Sequence, residues 1–167
     1  MPAFDHVVVA CGSGGTTAGL AVGMRLSGLA AALHAVNVQH TPDVFYALLE
    51  EEAAALGVAP GALGASRDWL TIHDGGGLGY GNTDAAELQT ILRVGAASGV
   101  LLDHVYAGKA LHHFCAHARA NPAAFRGSRV LFWHTGGLPG LAAQEAQLLG
   151  LLPTPRRFEP RKPPPAP

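Results

Sequence analysis

Near the start of this chain a β-branched run passes directly into a glycine-rich segment, and few folds accommodate that junction. His6–Cys11 (HVVVAC) is apolar enough for a buried strand, and residues 12–17 (GSGGTT) follow it without a spacer. Small and apolar residues then recur at helical spacing over residues 16–27. A strand, a tight turn and a helix in this order begin a crossover between parallel strands, so the segment predicts an α/β fold.

The alternation of apolar runs and amphipathic stretches continues along the chain. Further strands are predicted at residues 34–38, 69–73 and 129–134, and further helices at residues 43–56, 84–97 and 109–118. Pro42 suits the first turn of the second helix, and Thr83 or Asp84 suits the cap of the third. The pattern predicts a mainly parallel sheet flanked by helices. In such folds, ligands bind at the carboxyl ends of the strands.

Composition excludes several classes of partner. The 167 residues are 49% hydrophobic and 14% charged, which is typical of a globular domain. The net charge of -1 gives no electrostatic footprint for nucleic acid or an anionic membrane. No membrane span or secretory signal is recognisable, and two cysteines suit a reducing compartment. We therefore expect a soluble intracellular protein, in the cytoplasm or an organelle, whose partner is a small molecule.

The end of the chain differs from the rest. Residues 153–167 contain seven of the 12 prolines and four basic side chains, without a hydrophobic period. This composition predicts a disordered, polyproline-II-like tail that follows a domain of residues 1–152.

The glycines of residues 12–17 predict an anion site. Backbone N–H groups can converge there because Gly12, Gly14 and Gly15 carry no side chains, and the N-terminus of the following helix adds partial positive charge. ATP and GTP are not expected, since Thr16 stands where a Walker A loop has a lysine. NAD is not expected either, since the next strand ends without an acidic residue. A single phosphate monoester, such as that of pyridoxal phosphate, remains; the alternative is a plain strand-to-helix turn.

Five sequence blocks together resemble a known enzyme family. They are CGSGGTTAGL (11–20), AVNV (35–38), DGGGLGYG (74–81), GVLLDHVYAGKAL (99–111) and VLFWHTGGLPGL (130–141). In this order they resemble the later half of the fold-type-II pyridoxal-phosphate enzymes, which share a tryptophan synthase beta-like fold. Within that group the blocks are most similar to the D-cysteine desulfhydrase and 1-aminocyclopropane-1-carboxylate (ACC) deaminase family. The resemblance covers residues 4–141, and it implies a catalytic-domain portion, a pyridoxal 5'-phosphate cofactor and a homodimeric complete enzyme.

The resemblance also implies roles for particular residues. The positions that match the cofactor phosphate loop are Gly12, Ser13, Gly14, Gly15 and Thr16. Tyr80 and Tyr106 match two active-site tyrosines, each of which can carry a proton to or from the substrate. Without the resemblance, the simpler interpretation of either residue is a tyrosine whose ring packs in the protein while its hydroxyl lies at the surface. Thr135 matches the position that approaches the pyridine nitrogen.

Two positions favour one activity of the family over the other. By the resemblance, ACC deaminases place a glutamate directly after the tyrosine of the VY-x-GK block and a leucine in the H-x-GG block. This chain has Ala107 and Thr135 there. The resemblance therefore implies a desulfhydrase, which converts D-cysteine to pyruvate, ammonia and hydrogen sulfide by α,β-elimination. Ala107 also departs from the hydroxyl residue expected of a desulfhydrase, so ACC deaminase activity and a non-catalytic module that binds phosphorylated ligands stay open as alternatives.

The chain offers few lysines for a Schiff base with the cofactor. Its two lysines are Lys109 and Lys162, and Lys162 lies in the proline-rich tail. Lys109 matches a family lysine that is not the cofactor-bearing one, so a structural role at a helix start is expected. The family's Schiff-base lysine belongs to an N-terminal half that has no counterpart here. We therefore expect a fragment of a lyase that is inactive by itself.

A cluster of histidines suggests a different kind of site. His113 and His117 are four residues apart on a predicted helix, with His112 and Cys115 nearby, which is a spacing that can hold a metal. No third ligand is evident from the sequence, so no metal is expected.

Overall fold

The fold is a four-stranded parallel sheet. The computed structural model describes residues 4–39, 41–59, 61–62, 64–68 and 70–153. The strands are β1 (His6–Cys11), β2 (Ala32–Asn37), β3 (Leu70–Asp74) and β4 (Val130–Trp133). Their order in the sheet is β3-β2-β1-β4, and each neighbouring pair is parallel. The predicted fold class is thereby confirmed.

Helices connect these strands and cover both faces of the sheet. They are α1 (Gly15–Ser27), α2 (Pro42–Ala55), α3 (Ala85–Ser98), α4 (Ala107–Ala120), the short α5 (Pro122–Phe125) and α6 (Glu145–Leu151). Two 3-10 segments, Ser66–Asp68 and Leu138–Gln144, lie before β3 and after β4. No helix in the described ranges has the length and apolar content that crossing a bilayer requires.

Alternation along each strand divides the core between the two faces. Val7 and Val9 of β1 pack with α1 and α2, in a cluster that includes Phe45 and Leu49. The intervening Val8 points to the other face and packs with Phe114 of α4. This division follows from the two-residue period of a strand, which turns successive side chains to opposite faces.

The structure extends or shifts several predicted elements. Strand β2 begins at Ala32, two residues before the predicted start, and α4 is longer at both ends than the predicted 109–118. Asp84 caps α3 and forms a capping box with Glu87, in which each side chain accepts the other's backbone N–H. Helix α6 was not predicted. The predicted start of β3 at residue 69 and the predicted tail beyond Pro153 lie outside the described residues.

Candidate functional site

The carboxyl end of β1 opens into a loop that carries exposed backbone donors. Gly14 has φ +107, in the left-handed region, which lets the chain turn sharply from the strand into α1. Gly14 also occupies the N-cap of α1, and no side chain caps the helix there. The first N–H groups of a 13-residue helix therefore face the loop together with the positive end of its dipole. This arrangement suits an anion.

A buried hydroxyl lies under the same loop. Thr17 is 1% exposed, and its Oγ1 lies beside the thiol of Cys11 and has no nitrogen or oxygen partner within the part of the chain that the structure describes. A thiol is a weak hydrogen-bonding partner, so this buried hydroxyl would gain from a stronger acceptor such as a phosphate oxygen. The neighbouring Cys11 is no nucleophile, since burial raises the pKa of its thiol to about 11 and the Thr17 hydroxyl offsets this only partly.

The loop forms one wall of a cleft of about 330 Å³. The lining residues come from three segments of the chain: Ala10, Gly12, Ser13, Gly14, Thr16, Thr17, Tyr106, Thr135, Gly136 and Gly137. Parallel strands place these segments together, because β1 and β4 are neighbours and both end at this edge. Of the predicted site residues, the cleft therefore unites Gly12, Ser13, Gly14, Thr16, Tyr106 and Thr135. Gly15 is the first residue of α1 and does not line it.

Tyr106 packs directly on the glycine loop. A Cβ at Gly12 would lie 2.7 Å from Cε1 of the Tyr106 ring, so only glycine leaves room for the ring at this distance. The loop and the tyrosine are thus fitted to one another, although they are more than ninety residues apart in sequence.

Tyr80 joins the site through Tyr106. The two phenol oxygens are 2.5 Å apart and share a hydrogen bond, and the rings meet edge to face with their centroids 5.9 Å apart. This hydrogen bond is the main cause that raises the pKa of Tyr106 to about 12; burial and the charge of Asp103 add to it. Tyr106 is therefore protonated at neutral pH and can donate a hydrogen bond.

Asp103 is a site residue that the sequence analysis missed. Its buried carboxylate accepts backbone N–H groups from Val105, Tyr106 and Ala107 at 2.9, 2.7 and 2.7 Å. It also abuts Gly137, where a Cβ would lie 2.8 Å from the Asp103 Cγ. Asp103 thus fixes both Tyr106 and the loop after β4. An aspartate four residues before the helix start at Ala107 was the available signal, since such residues commonly bind the first N–H groups.

The histidines of α4 do not converge on one point. His113 Nε2 lies 2.9 Å from Oε1 of the buried Glu87, whereas the His117 ring packs 4.3 Å from the ring of His73. Among the residues that the structure describes, no group of three or more His, Cys, Asp or Glu side chains is arranged to hold a metal ion. The two histidines that share a helical spacing thus have separate neighbours.

Comparison with known proteins decides the family. Residues 1–136 match a family model described as "Pyridoxal-phosphate dependent enzyme". The chain belongs to the pyridoxal-phosphate dependent enzyme family. The resemblance that the sequence blocks indicated is confirmed at this level, and with it the cofactor on which the family depends.

The similar proteins carry desulfhydrase and deaminase names. A bifunctional D-cysteine desulfhydrase/1-aminocyclopropane-1-carboxylate deaminase, mitochondrial, of Arabidopsis thaliana is 39% identical over 149 residues, which cover 89% of this chain and 36% of that protein. A 1-aminocyclopropane-1-carboxylate deaminase of Burkholderia ambifaria is 32% identical over 142 residues, which cover 84% of this chain and 42% of that protein.

A solved structure agrees in fold. The crystal structure of an ACC deaminase homologue matches with a TM-score of 0.72 and 34% identity, over 89% of this chain and 44% of that one. The chain thus spans less than half the length of these relatives.

Proposed function

We propose that this chain forms the phosphate-binding and tyrosine-bearing part of a pyridoxal-phosphate dependent lyase that acts on a small amino acid. The observation that carries the proposal is the single cleft that unites the glycine loop, Tyr106 and Thr135. A plain strand-to-helix turn would not require a tyrosine and a threonine from distant segments at the same place.

The residues of the cleft fit the phosphate end of the cofactor. The uncapped N-terminus of α1, the left-handed Gly14 and the buried hydroxyl of Thr17 would together provide donors for a phosphate group. Ser13 and Thr16 add hydroxyl groups at the cleft wall. Pyridoxal phosphate, when bound, supplies an electron sink for charge that develops at the substrate's α-carbon.

Thr135 is the residue we assign to the pyridine nitrogen. It is neutral, so it can hydrogen-bond the ring but cannot hold it protonated as a carboxylate would. The two tyrosines are assigned to proton transfer at the substrate side. With its pKa near 12, the Tyr106 phenol keeps its proton at neutral pH and can donate a hydrogen bond to a leaving group.

Sulfur elimination from D-cysteine is the activity that we favour. Of the two positions that separate the activities, only Thr135 faces the cleft. Ala107 is buried in an apolar cluster with Leu88, Ile91 and Leu102, so its identity bears less directly on the substrate. ACC deamination is the second candidate, because both relatives named above carry that activity in their names. A non-catalytic module that binds phosphorylated ligands would use the glycine loop alone and would have no need of the tyrosine pair.

Lys109, the lysine within the described residues, is unsuited to forming a Schiff base with the cofactor. Lys109 is fully buried and its Nζ donates to the carbonyl oxygens of Gly76 and Gly79. We therefore propose that the Schiff-base lysine belongs to the part of the relatives that this chain does not match, and that this chain alone is inactive. The complete enzyme is proposed to be a homodimer.

Fragment complementation tests this proposal. The 167-residue chain is combined with the unmatched N-terminal part of the Arabidopsis relative, and sulfide release from D-cysteine and ammonia release from ACC are measured. We expect sulfide from the mixture and none from either part alone. A mixture containing Thr135→Leu provides the matched comparison, and it should release less sulfide. Ammonia from ACC without sulfide from D-cysteine would favour the deaminase, and reconstitution without either product would support the non-catalytic module.

A further inference from the structure

Lys109 is a buried cation that the proposed chemistry leaves unused. It is 0% exposed and lies on the first turn of α4, three residues after Tyr106. Its Nζ donates to the carbonyl oxygen of Gly76 at 2.7 Å and to that of Gly79 at 2.8 Å. Burying an ammonium group is unfavourable unless partners of this kind compensate it. The lysine is thus committed to the loop that follows β3.

Several hydrogen bonds besides those of Lys109 shape that loop: the Gly75 N–H donates to the Asn37 carbonyl, the Gly76 N–H to Asp74 Oδ1 and the Asn82 N–H to the Gly79 carbonyl. Residues 75–81 include three glycines with positive φ, Gly77 at +52, Gly79 at +96 and Gly81 at +74. Glycines lose more backbone freedom on ordering than any other residue, so this loop is costly to fix in one conformation. The Gly79 N–H donates to the Gly76 carbonyl, and the ammonium of Lys109 donates to the same carbonyl.

The geometry ties the lysine to the tyrosine pair. Tyr80 directly follows Gly79, whose carbonyl Lys109 binds, and the Tyr80 phenol meets that of Tyr106. Tyr106 is the N-cap of α4, and Lys109 lies three residues later, in the first turn of that helix. The start of α4 therefore holds the loop at two points, at the backbone before Tyr80 and at the end of its side chain.

We propose that Lys109 is a positioning residue that sets the loop carrying Tyr80 and so brings the Tyr80 phenol against Tyr106. The importance of Lys109 for catalysis rests on the proposed function, whereas its effect on the contact between the two tyrosines does not depend on that function. A lysine with a purely structural role would stabilise the core without governing that contact. Glu87 and His113, the ionisable groups beside Gly77, bond each other and make no ion pair with Lys109 within 4.0 Å.

The test uses Lys109→Met in the 167-residue chain without cofactor. Ionisation of Tyr106 is followed at pH 11 from the 13Cζ resonance of labelled tyrosine, with Tyr46→Phe, Tyr80→Phe and Tyr106→Phe used for assignment. In the wild-type chain Tyr106 should be about one tenth ionised, given its pKa near 12. With the hydrogen bond to Tyr80 broken, the ionised fraction should rise several-fold, because that bond is the largest cause of the raised pKa; burial and the charge of Asp103 keep it below the fraction of an unperturbed tyrosine. We expect Lys109→Met to reproduce the Tyr80→Phe result.

Two comparisons keep the outcomes distinct. Arg119→Met removes an exposed cation from the same helix and should leave the Tyr106 signal unchanged. Lys109→Gln is the second variant, and it should give an intermediate result because its shorter side chain retains a donor. A wild-type signal in folded Lys109→Met overturns the proposal, and so does failure of both variants to fold while Tyr80→Phe folds. Because no cofactor is present, failure of the lyase assignment would not alter this result.

Discussion

Replacing Asp103 with alanine should lower the free energy of unfolding by about 3 kcal/mol, because hydrogen bonds to a charged acceptor contribute about 1.5–3 kcal/mol each and do not add fully. Three backbone N–H groups at the start of α4 would lose their acceptor, and the carboxylate that accepts them is 2% exposed, so little water could replace it. The released segment carries Tyr106, so the cleft would lose its shape as well. Urea denaturation followed by circular dichroism gives the measurement.

Asp84→Ala is the matched control for this variant. Asp84 also caps a helix, but its side chain accepts a single backbone N–H, from Glu87. Its loss should cost about 1 kcal/mol, the usual value for a capping residue. Asp103→Asn, which keeps an acceptor oxygen, should lie between the two. Equal losses for Asp103→Ala and Asp84→Ala would contradict the role assigned to Asp103.

Acid should destabilise the fold in the range where histidines titrate, because the imidazoles of His6, His34 and His73 on the sheet and of His117 on α4 form a contiguous row. His34 Nε2 lies 3.0 Å from His6 Nδ1, and His34 Nδ1 lies 2.8 Å from His73 Nε2. The His117 ring packs on His73. The rings of Phe114 on α4 and Phe125 on α5 pack against these imidazoles. Burial first, and then the neighbouring histidines, lower the pKa of His34 to about 4; burial and His117 lower that of His73 to about 4.

The sign of the pH effect follows from these lowered values. In the unfolded chain His34 and His73 bind protons near pH 6.5, whereas in the folded chain they bind them only near pH 4. Their contribution to stability is therefore complete above pH 6.5 and falls as the pH drops toward 4. For His34 alone the loss between pH 7.5 and 5 is about 2 kcal/mol, at 1.36 kcal/mol per pKa unit. His73 adds to this loss, although the two groups are coupled and the contributions do not sum.

Urea unfolding at pH 7.5, 6 and 5 measures this effect. His34→Gln retains a donor and an acceptor but cannot be protonated, so its stability should vary less with pH than that of the wild-type chain; the part due to His73 should remain, because burial and His117 lower the pKa of His73. His134→Gln removes an exposed histidine that lies outside the row of imidazoles, and it should keep the wild-type dependence. If His34→Gln and the wild-type chain lose stability in parallel, the row of imidazoles does not control acid sensitivity.

The sequence predicts those parts of the molecule that local pattern determines. The β-branched run and its glycines specify β1, the loop and α1, because strand propensity and the absence of side chains act over a few neighbouring residues. Asp84 signals the start of α3 for the same reason. Once the strands are known to form a parallel sheet, their carboxyl ends must lie at one edge, because all of them run in the same direction.

Features that depend on register and tertiary packing were not predictable in this way. His6, His34 and His73 lie on three separate strands, and only the pairing of those strands turns their side chains to one face. The spacing of His113 and His117 suggested a shared ligand, but each histidine meets a different element. Helix α6 has only seven residues and packs through Leu148 and Leu151 against the cluster that contains Leu88 of α3, so its stability comes from contacts that a local pattern does not contain.

The measurement that bears most directly on the account is a crystal structure of the 167-residue chain soaked with pyridoxal phosphate. We predict density for the phosphate group against residues 12–17, beside Thr17 and Tyr106, and no borohydride-stable adduct on Lys109. Gly14→Ala should abolish this density, because alanine is strained at φ +107, while Gly28→Ala, at the C-terminal cap of α1 with φ +69, should retain it. Density elsewhere in the molecule, none at all, or an adduct on Lys109 would contradict the account.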